Sequence, residues 1–410
     1  MKIHRSIVGM SFLLFSAMLS AQQELDAYLQ MAAENNPGLK ARFNEYMAAL
    51  EVAPQVSALP DPGVAFAYFI NPVETRVGPQ QFRISATQMF PWFGTLQAKE
   101  NVALQEAKSK YETFLEARSS LFNEVRSTYY NVYLNRRAMD ITRENLGLLN
   151  SFKKLAQVKA EAGQVSVLDV YRIEMEMGDL ENQLALLADK QVVLETMFNQ
   201  LLNVDKAQEI LVPGVLWTDD LSLEKDQVLD SMAANNHQLL VLSMQEEALS
   251  YREELARKQG KPDFSIGLDY TVIGRGENQP AGTDALVFPR VGITIPLYRN
   301  KYRAMVNEAV YLQEAKAHER TNQRNLLETV LENAWKEYLD ADRRIGLYRS
   351  QRELAEKSLA LLETEYLTGN QNFEEILRME RKLLGYGLEL EKSRSDKQAS
   401  ISFIHYLMGQ

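Results

Sequence analysis

The chain is written twice over. The pentapeptide LQEAK at 104–108 recurs at 312–316, and an ordered set of motifs recurs with it at a spacing that drifts only between 200 and 208 residues. Asn35 and Asn36 return as Asn235 and Asn236, the set Pro60, Asp61 and Tyr68 as Pro262, Asp263 and Tyr270, and Phe90-Pro91 as Ile295-Pro296. Gly163, Arg172 and Glu174 return as Gly369, Arg378 and Glu380. A unit of roughly 200 residues is far longer than the repeats that stack in solenoids, so one large supersecondary unit is used in two copies.

The first 21 residues stand apart. Lys2 and Arg5 precede an apolar run from Ile7 to Leu19 and then Ser20-Ala21, the pattern of a secretory signal, with cleavage expected after Ala21. The repeats then divide as 22–212 and 213–410, two halves of one intertwined domain. The formal charge is −10, and loss of Lys2 and Arg5 takes the exported chain to −12, with both signs interspersed rather than gathered into the basic face that nucleic acid requires. An exported chain without cysteine has no disulfide and no lipobox cysteine for a lipid anchor, so folding alone must hold it in place. No mature stretch offers about 18 consecutive apolar residues, which leaves strands as the means of crossing a bilayer.

All 12 prolines fall at 37–91, at Pro213 or at 262–296, leaving the proline-free runs 92–212 and 297–410. An interior proline costs a helix about 3 kcal/mol, so these runs are where long helices form. Leu327, Val330, Ala334, Tyr338, Ala341, Ile345 and Tyr348 step by three and four, as do Leu121, Val125, Tyr129 and Val132, which is coiled-coil spacing. Each run has one interruption, Ala162-Gly163-Gln164 in the first and Thr368-Gly369-Asn370 in the second, and glycine before a polar residue ends a helix. Each run therefore predicts a hairpin with one helix of roughly 65 to 70 residues, about 100 Å long, and a return helix of roughly 40.

Before each hairpin lie two segments that alternate with period two. Val64, Phe66, Tyr68 and Ile70 oppose Ala65 and Ala67; Phe82, Ile84, Ala86 and Phe90 oppose Arg83, Ser85 and Thr87. In the second half Phe264, Ile266, Leu268, Tyr270 and Val272 oppose Ser265, Gly267, Asp269 and Thr271, and Val287, Val291, Ile293 and Ile295 oppose Arg290, Gly292 and Thr294. These predict four strands of roughly 8 to 10 residues, joined in pairs by solvent-facing loops at 71–81 and 274–285. A half-buried soluble sheet also alternates. The signal segment, strand lengths suited to a tilted crossing, and aromatic-rich faces opposite Arg83, Asp269 and Arg290 favour a barrel wall with those polar residues and Ser85 in its lumen. Four strands cannot close a barrel, since the small closed ones need about eight, so several chains must share one.

The openings AAENNPGLK and AANNHQLL, the strand entries LPDPG and KPDF, the strand ends FPWFG and IPLYR, and the glycine-centred hairpin turns, in that order and twice over, resemble the TolC family of outer-membrane efflux channels. The resemblance covers essentially the whole mature chain. It implies a fold that is mainly α with a transmembrane β part: a homotrimer whose four strands per chain build a shared 12-stranded barrel, continuous with a periplasmic α-helical barrel. It also implies a periplasmic adaptor (membrane fusion protein), an inner-membrane RND-type pump that supplies the energy, and outer-membrane lipid around the strands, with no cofactor. The FPWFG strand end and its surroundings look most like the branch that serves heavy-metal cation pumps. Drug efflux and type I protein secretion use ducts of the same architecture. A periplasmic coiled-coil adaptor, the alternative of another class, predicts a small soluble β-domain beside one hairpin.

A duct has no catalytic step, and His4, His237, His318 and His405 are dispersed without metal-ligand spacing, so neither an enzyme nor a metal site is expected. By resemblance, gating falls to the hairpin turns, where Asp169 and Tyr366 tie neighbouring helices through a phenol-to-carboxylate hydrogen bond. Capping of the return helix by Asp169 and plain packing of Tyr366 are the competing readings. Where the family's gate carries an arginine, this chain has Gln371. Glu375 matches an acidic constriction ring that favours cations, but its second acidic position is Arg378. Arg172 and Arg378 are then expected to pair with Glu174, Glu375 or Glu380. Gly163, Gln164, Val165, Gly369 and Asn370 form the turns on which an adaptor would dock in a coiled-coil mode, with core packing as the competing account of Val165, Val167, Leu168, Phe373, Ile376 and Leu377. Trp92 and Tyr298, just beyond strand ends, suit the inner aromatic girdle.

Overall fold

In the computed structural model the elements follow in order: α1 (22–35), α2 (Pro37–Leu50), α3 (Val52–Ser57), β1 (Gly63–Tyr68), β2 (Glu74–Thr75), β3 (Gly78–Phe90), α4 (Thr95–Glu161), α5 (Val167–Leu202), α6 (Lys225–Asn235), α7 (His237–Gln259), β4 (Asp263–Ile273), β5 (Leu286–Thr294), α8 (Arg299–Thr368) and α9 (Phe373–Leu407). Residues 22–76, 78–275, 286–368 and 373–410 are described; the expected signal segment, most of the loop before β5, and the turn residues Gly369, Asn370 and Gln371 lie outside them. The proline-free runs form the paired helices that they predict, of 67 and 36 residues in the first half and 70 and 35 in the second.

The chain falls into two units. The first contains residues up to Ala41, Leu115–His237 and Arg324–Gln410. Its core is aromatic: the rings of Tyr28 and Phe198 meet edge to face at 5.1 Å, with Tyr129 beside both. The connection 203–224, which contains Pro213, buries Ile210, Leu216 and Trp217. It is fastened by polar bonds. The Leu216 N–H donates to the Tyr133 hydroxyl at 3.0 Å, and that hydroxyl donates to buried Glu391 at 2.5 Å. The ammonium of Lys397, itself buried, is held between Asp220 and Asp342, so the charge taken out of water is paired twice.

The repeated asparagines make the same tie in each half. Asn36, between α1 and α2, donates through its side-chain amide to the Leu201 carbonyl at the end of α5 at 3.0 Å; Asn236, between α6 and α7, donates to the Leu407 carbonyl at the end of α9 at 2.9 Å. The last carbonyls of a helix lack partners within it, and each asparagine supplies one.

The second unit contains Arg42–Phe114 and Gln238–Gln323. Its sheet is antiparallel in the order β1-β3-β4-β5, with β2 on β3. Two departures from expectation concern strand ends. β1 has six residues and stops before Ile70, whereas β3 has 13 and begins at Gly78, inside the expected loop. Gly78 has φ 123°, a conformation open to glycine, and there the chain turns from β2 directly into β3, with the Thr75 hydroxyl donating to the Gly78 carbonyl at 2.7 Å.

Candidate functional site

Strand register sorts the sheet into two faces. Phe66, Ile84, Tyr270 and Val287 stand in one row, Val64, Ala86 and Leu268 in the next, and Phe90, Phe264 and Ile293 in another. This face is apolar and bare: Phe66 is 77% exposed and Val291 85%. Gln88 shares it, with its amide spent on the carbonyls of Pro60 and Met89.

The opposite face gathers the lumen candidates. Ser85 pairs with Asp269 and Arg83 with Thr271 across β3 and β4. The Arg83 Nε donates to the Thr271 hydroxyl at 3.2 Å. Arg290 reaches the Thr87 hydroxyl at 3.1 Å and a carboxylate oxygen of buried Asp269 at 3.2 Å. Gly267 keeps this corner open, since a Cβ there would stand 3.1 Å from the Thr87 hydroxyl and 3.5 Å from the Arg290 Nε. Phe288, opposite Asp269, is the large apolar residue that alternation also places on this face. At the strand ends, Trp92 stacks on Phe264 at 5.8 Å and its N–H is fixed by Asp263 at 2.9 Å, while Tyr298 is fully presented at the surface.

The hairpin ends belong to the first unit. α4 closes at Gly163, in the left-handed region at φ 68°, with the Gln164 N–H bonding back to the Lys159 carbonyl at 2.9 Å, the closure that a C-terminal glycine permits. Val165 follows, and then Ser166 caps α5 by accepting from the Leu168 N–H. Asp169 is therefore not the cap. It lies one turn in, buried, where the N-terminal dipole favours its charge.

Around it, Leu149, Phe152 and Ala156 of α4, Val170, Ile173 and Leu180 of α5, Leu359 and Tyr366 of α8, and Phe373, Ile376 and Leu377 of α9 form one buried cluster. Core packing thus accounts for Phe373, Ile376 and Leu377, whereas Val167 and Leu168 are exposed. Tyr366 belongs to this cluster, and Asp169 lies near enough for its charge to act on the phenol. Burial, and next to it the Asp169 charge, push the Tyr366 phenol up; burial also pushes the Asp169 carboxyl up against the opposing pull of Arg172. The expected hydrogen bond between them is not formed within the single chain: the Tyr366 hydroxyl is buried without a partner among the described residues.

The charges pair differently from expectation. Arg378 does bind Glu375, but Arg172 stands 3.4 Å from both Asp169 and Glu374, and Glu174 binds Lys153 at 2.8 Å. Glu380 is buried and accepts from Asn145 at 2.7 Å. Burial, and then Glu363, push its carboxyl up to about 6 against the Asn145 bond. Sequence reasoning left Glu374 out of the site and gave Glu380 only an arginine to pair with. The helical spacing of Glu380 from Ile376, Leu377 and Leu383 was the available signal that it faces a core. Among the described residues no group of three or more acidic or histidine side chains is arranged to hold a metal ion.

Residues 28–203 match the sequence profile of the outer membrane efflux protein family. A comparison with curated proteins gives no match. Among solved structures the chain is similar to the outer-membrane channel OprN, at 17% identity and TM-score 0.78, over 94% of this chain and 90% of that one. It is similar to the outer membrane protein VceC of Vibrio cholerae at 16% identity and TM-score 0.72, over 95% and 97% of the two chains. It is similar to CusC, described for its transmembrane channel formation, at 16% identity and TM-score 0.71, over 94% and 92%. With its duplicated strand pairs, paired long helices and bare apolar sheet face, the chain has the fold of these outer-membrane channels, and its first half carries the profile of the outer membrane efflux protein family.

Proposed function

We propose that three copies of the chain form the exit duct of a tripartite efflux system, with heavy-metal cations as cargo. The open sheet carries the oligomer reading. Among the described residues its edge strands β1 and β5 lack outer neighbours, while its apolar face is bare. In hydrocarbon every backbone N–H and C=O must be satisfied, so such a sheet crosses a bilayer only when other copies close it. Three copies of the four strands β1, β3, β4 and β5 would supply the 12-stranded barrel that the family resemblance implies, with Arg83, Ser85, Asp269 and Arg290 lining its lumen and Trp92 and Tyr298 in its girdle.

The gate reading rests on Asp169 beside the unpaired hydroxyl of Tyr366 in a buried cluster. A small helix displacement in the trimer would give that phenol its acceptor, and docking of a periplasmic adaptor on the turns at Gly163, Gln164 and Val165 would release it. An inner-membrane pump then drives export. The cargo assignment rests on the FPWFG strand end.

Deleting the gene should sensitise cells to divalent metal salts while leaving resistance to hydrophobic drugs unchanged; the reverse pattern overturns the cargo assignment. Drug export is the second reading. It is favoured by the pairing of Glu375 with Arg378, which balances the charge of the expected acidic ring.

A further inference from the structure

Two short segments, 257–261 (RKQGK) and 299–303 (RNKYR), hold six basic residues and no acidic one. They are far apart in sequence, and the sheet brings them together. β4 leaves just after Lys261, β5 returns just before Arg299, and the register pairs Asp263 with Thr294, so the end of α7 and the start of α8 are neighbours. Between them opens a cavity of about 490 Å³, lined by Arg257, Lys261, Arg299 and Arg303 together with Tyr302 and Val306. Gly260 lets the Tyr302 ring close in, since a Cβ there would already stand 3.4 Å from it.

The charges of this cavity are unevenly spent. Arg257 is held by Glu253 and Lys258 by Glu254, both on α7. Lys261, Arg299 and Arg303 have no ion-pair partner among the described residues, and all three are exposed. The first turn of α8 carries no acidic side chain, and the positive end of the helix dipole favours an anion there. The residues that lead from β5 into α8, Ile295, Leu297 and Tyr298, are exposed and apolar, so the chain passes from the bare apolar face straight into the cationic segment. A surface that passes within a few residues from apolar to cationic matches a lipid whose acyl chains lie on the strands and whose headgroup is an anion.

The duplication supplies a control. Aligned through the repeated Pro-Asp and strand-end proline, the first copy has Gln55, Leu59, Gly94 and Ala98 where the second has Arg257, Lys261, Arg299 and Arg303. The shared fold therefore does not require these cations. We propose that the cavity is a headgroup site, once per chain, for an anionic phosphoglyceride of the leaflet that faces the helices.

The test is native mass spectrometry of the purified full-length protein titrated with dioleoylphosphatidylglycerol or dioleoylphosphatidylcholine. Wild type should retain the glycerol lipid at about tenfold lower concentration than the choline lipid. The Lys261→Gln/Arg299→Gln/Arg303→Gln variant should lose that preference with oligomer mass unchanged. Arg252→Gln/Arg320→Gln, which removes cations elsewhere in the same unit, should keep it. Equal retention of both lipids by wild type, persistence of the preference in the triple variant, or its abolition by excess inorganic phosphate would each overturn the proposal, the last by making the cavity a site for free phosphate. Should the triple variant fail to assemble, Arg303→Gln alone must weaken the preference and Arg303→Lys must preserve it.

Discussion

Lys159 places its ammonium 4.6 Å from the ring centre of Tyr366 and donates to that residue's main-chain carbonyl at 2.5 Å. A cation in the last turn of α4 is thus seated on the ring that ends α8, joining the two hairpins of one chain. Such a contact is worth about 1 to 2 kcal/mol when partly desolvated. The copies differ here, since the first has Ala160 where the second has Tyr366.

The hydroxyl and the ring of Tyr366 should separate in experiment. Tyr366→Phe removes a buried hydroxyl that has no partner among the described residues and should cost no thermal stability. If that hydroxyl donates to Asp169 in the assembled gate, Tyr366→Phe with Asp169→Ala should raise single-channel conductance severalfold in planar bilayers. Lys159→Ala should raise it as well while lowering stability. Unchanged closed-state conductance in both variants would remove these residues from the gate.

Glu380 makes the helical hairpins sensitive to pH. Its folded-state value of about 6 lies above the ordinary 4.5, so folding favours the protonated acid. The associated stability is fully present below about pH 4.5 and is lost as pH rises through 6. The shift corresponds to about 2 kcal/mol at neutral pH. Glu380→Gln, which keeps an acceptor for Asn145, should therefore raise the melting temperature at pH 8 and leave it unchanged at pH 4. A variant no more stable at pH 8 would show that the carboxylate is solvated.

Asn36→Ala and Asn236→Ala should each cost about 1 to 3 kcal/mol, because each leaves a helix-end carbonyl without its donor. Denaturant melts should show similar losses for the two. A loss confined to one would mean that the repeated asparagines serve different ends.

With the polar sheet face proposed as the lumen wall, Asp269→Asn removes the carboxylate beside Arg290 and leaves the guanidinium uncompensated. Reversal potentials under a salt gradient should shift towards anion preference, and an unchanged potential would place this pair away from the conduction path.

The helices were legible because proline is absent from 92–212 and 297–410, and the sheet faces because alternation is a local property. The early start of β3 was hidden, since Gly78, Pro79 and two glutamines read as loop until their pairing with β2 and β4 is known. Ser166 rather than Asp169 caps α5, a choice between two capable residues three apart that only backbone geometry decides. The tip ion pairs and the basic cavity depend on which elements pack together, which brings charges far apart in sequence side by side in space.

The most direct test of the central claim is the mass and location of the unheated protein. Membranes separated on a density gradient and run without boiling should show it in the outer-membrane fraction, as a heat-labile species of about three chain masses, since four open-edged strands cross only when copies close them. A soluble monomer would contradict the account.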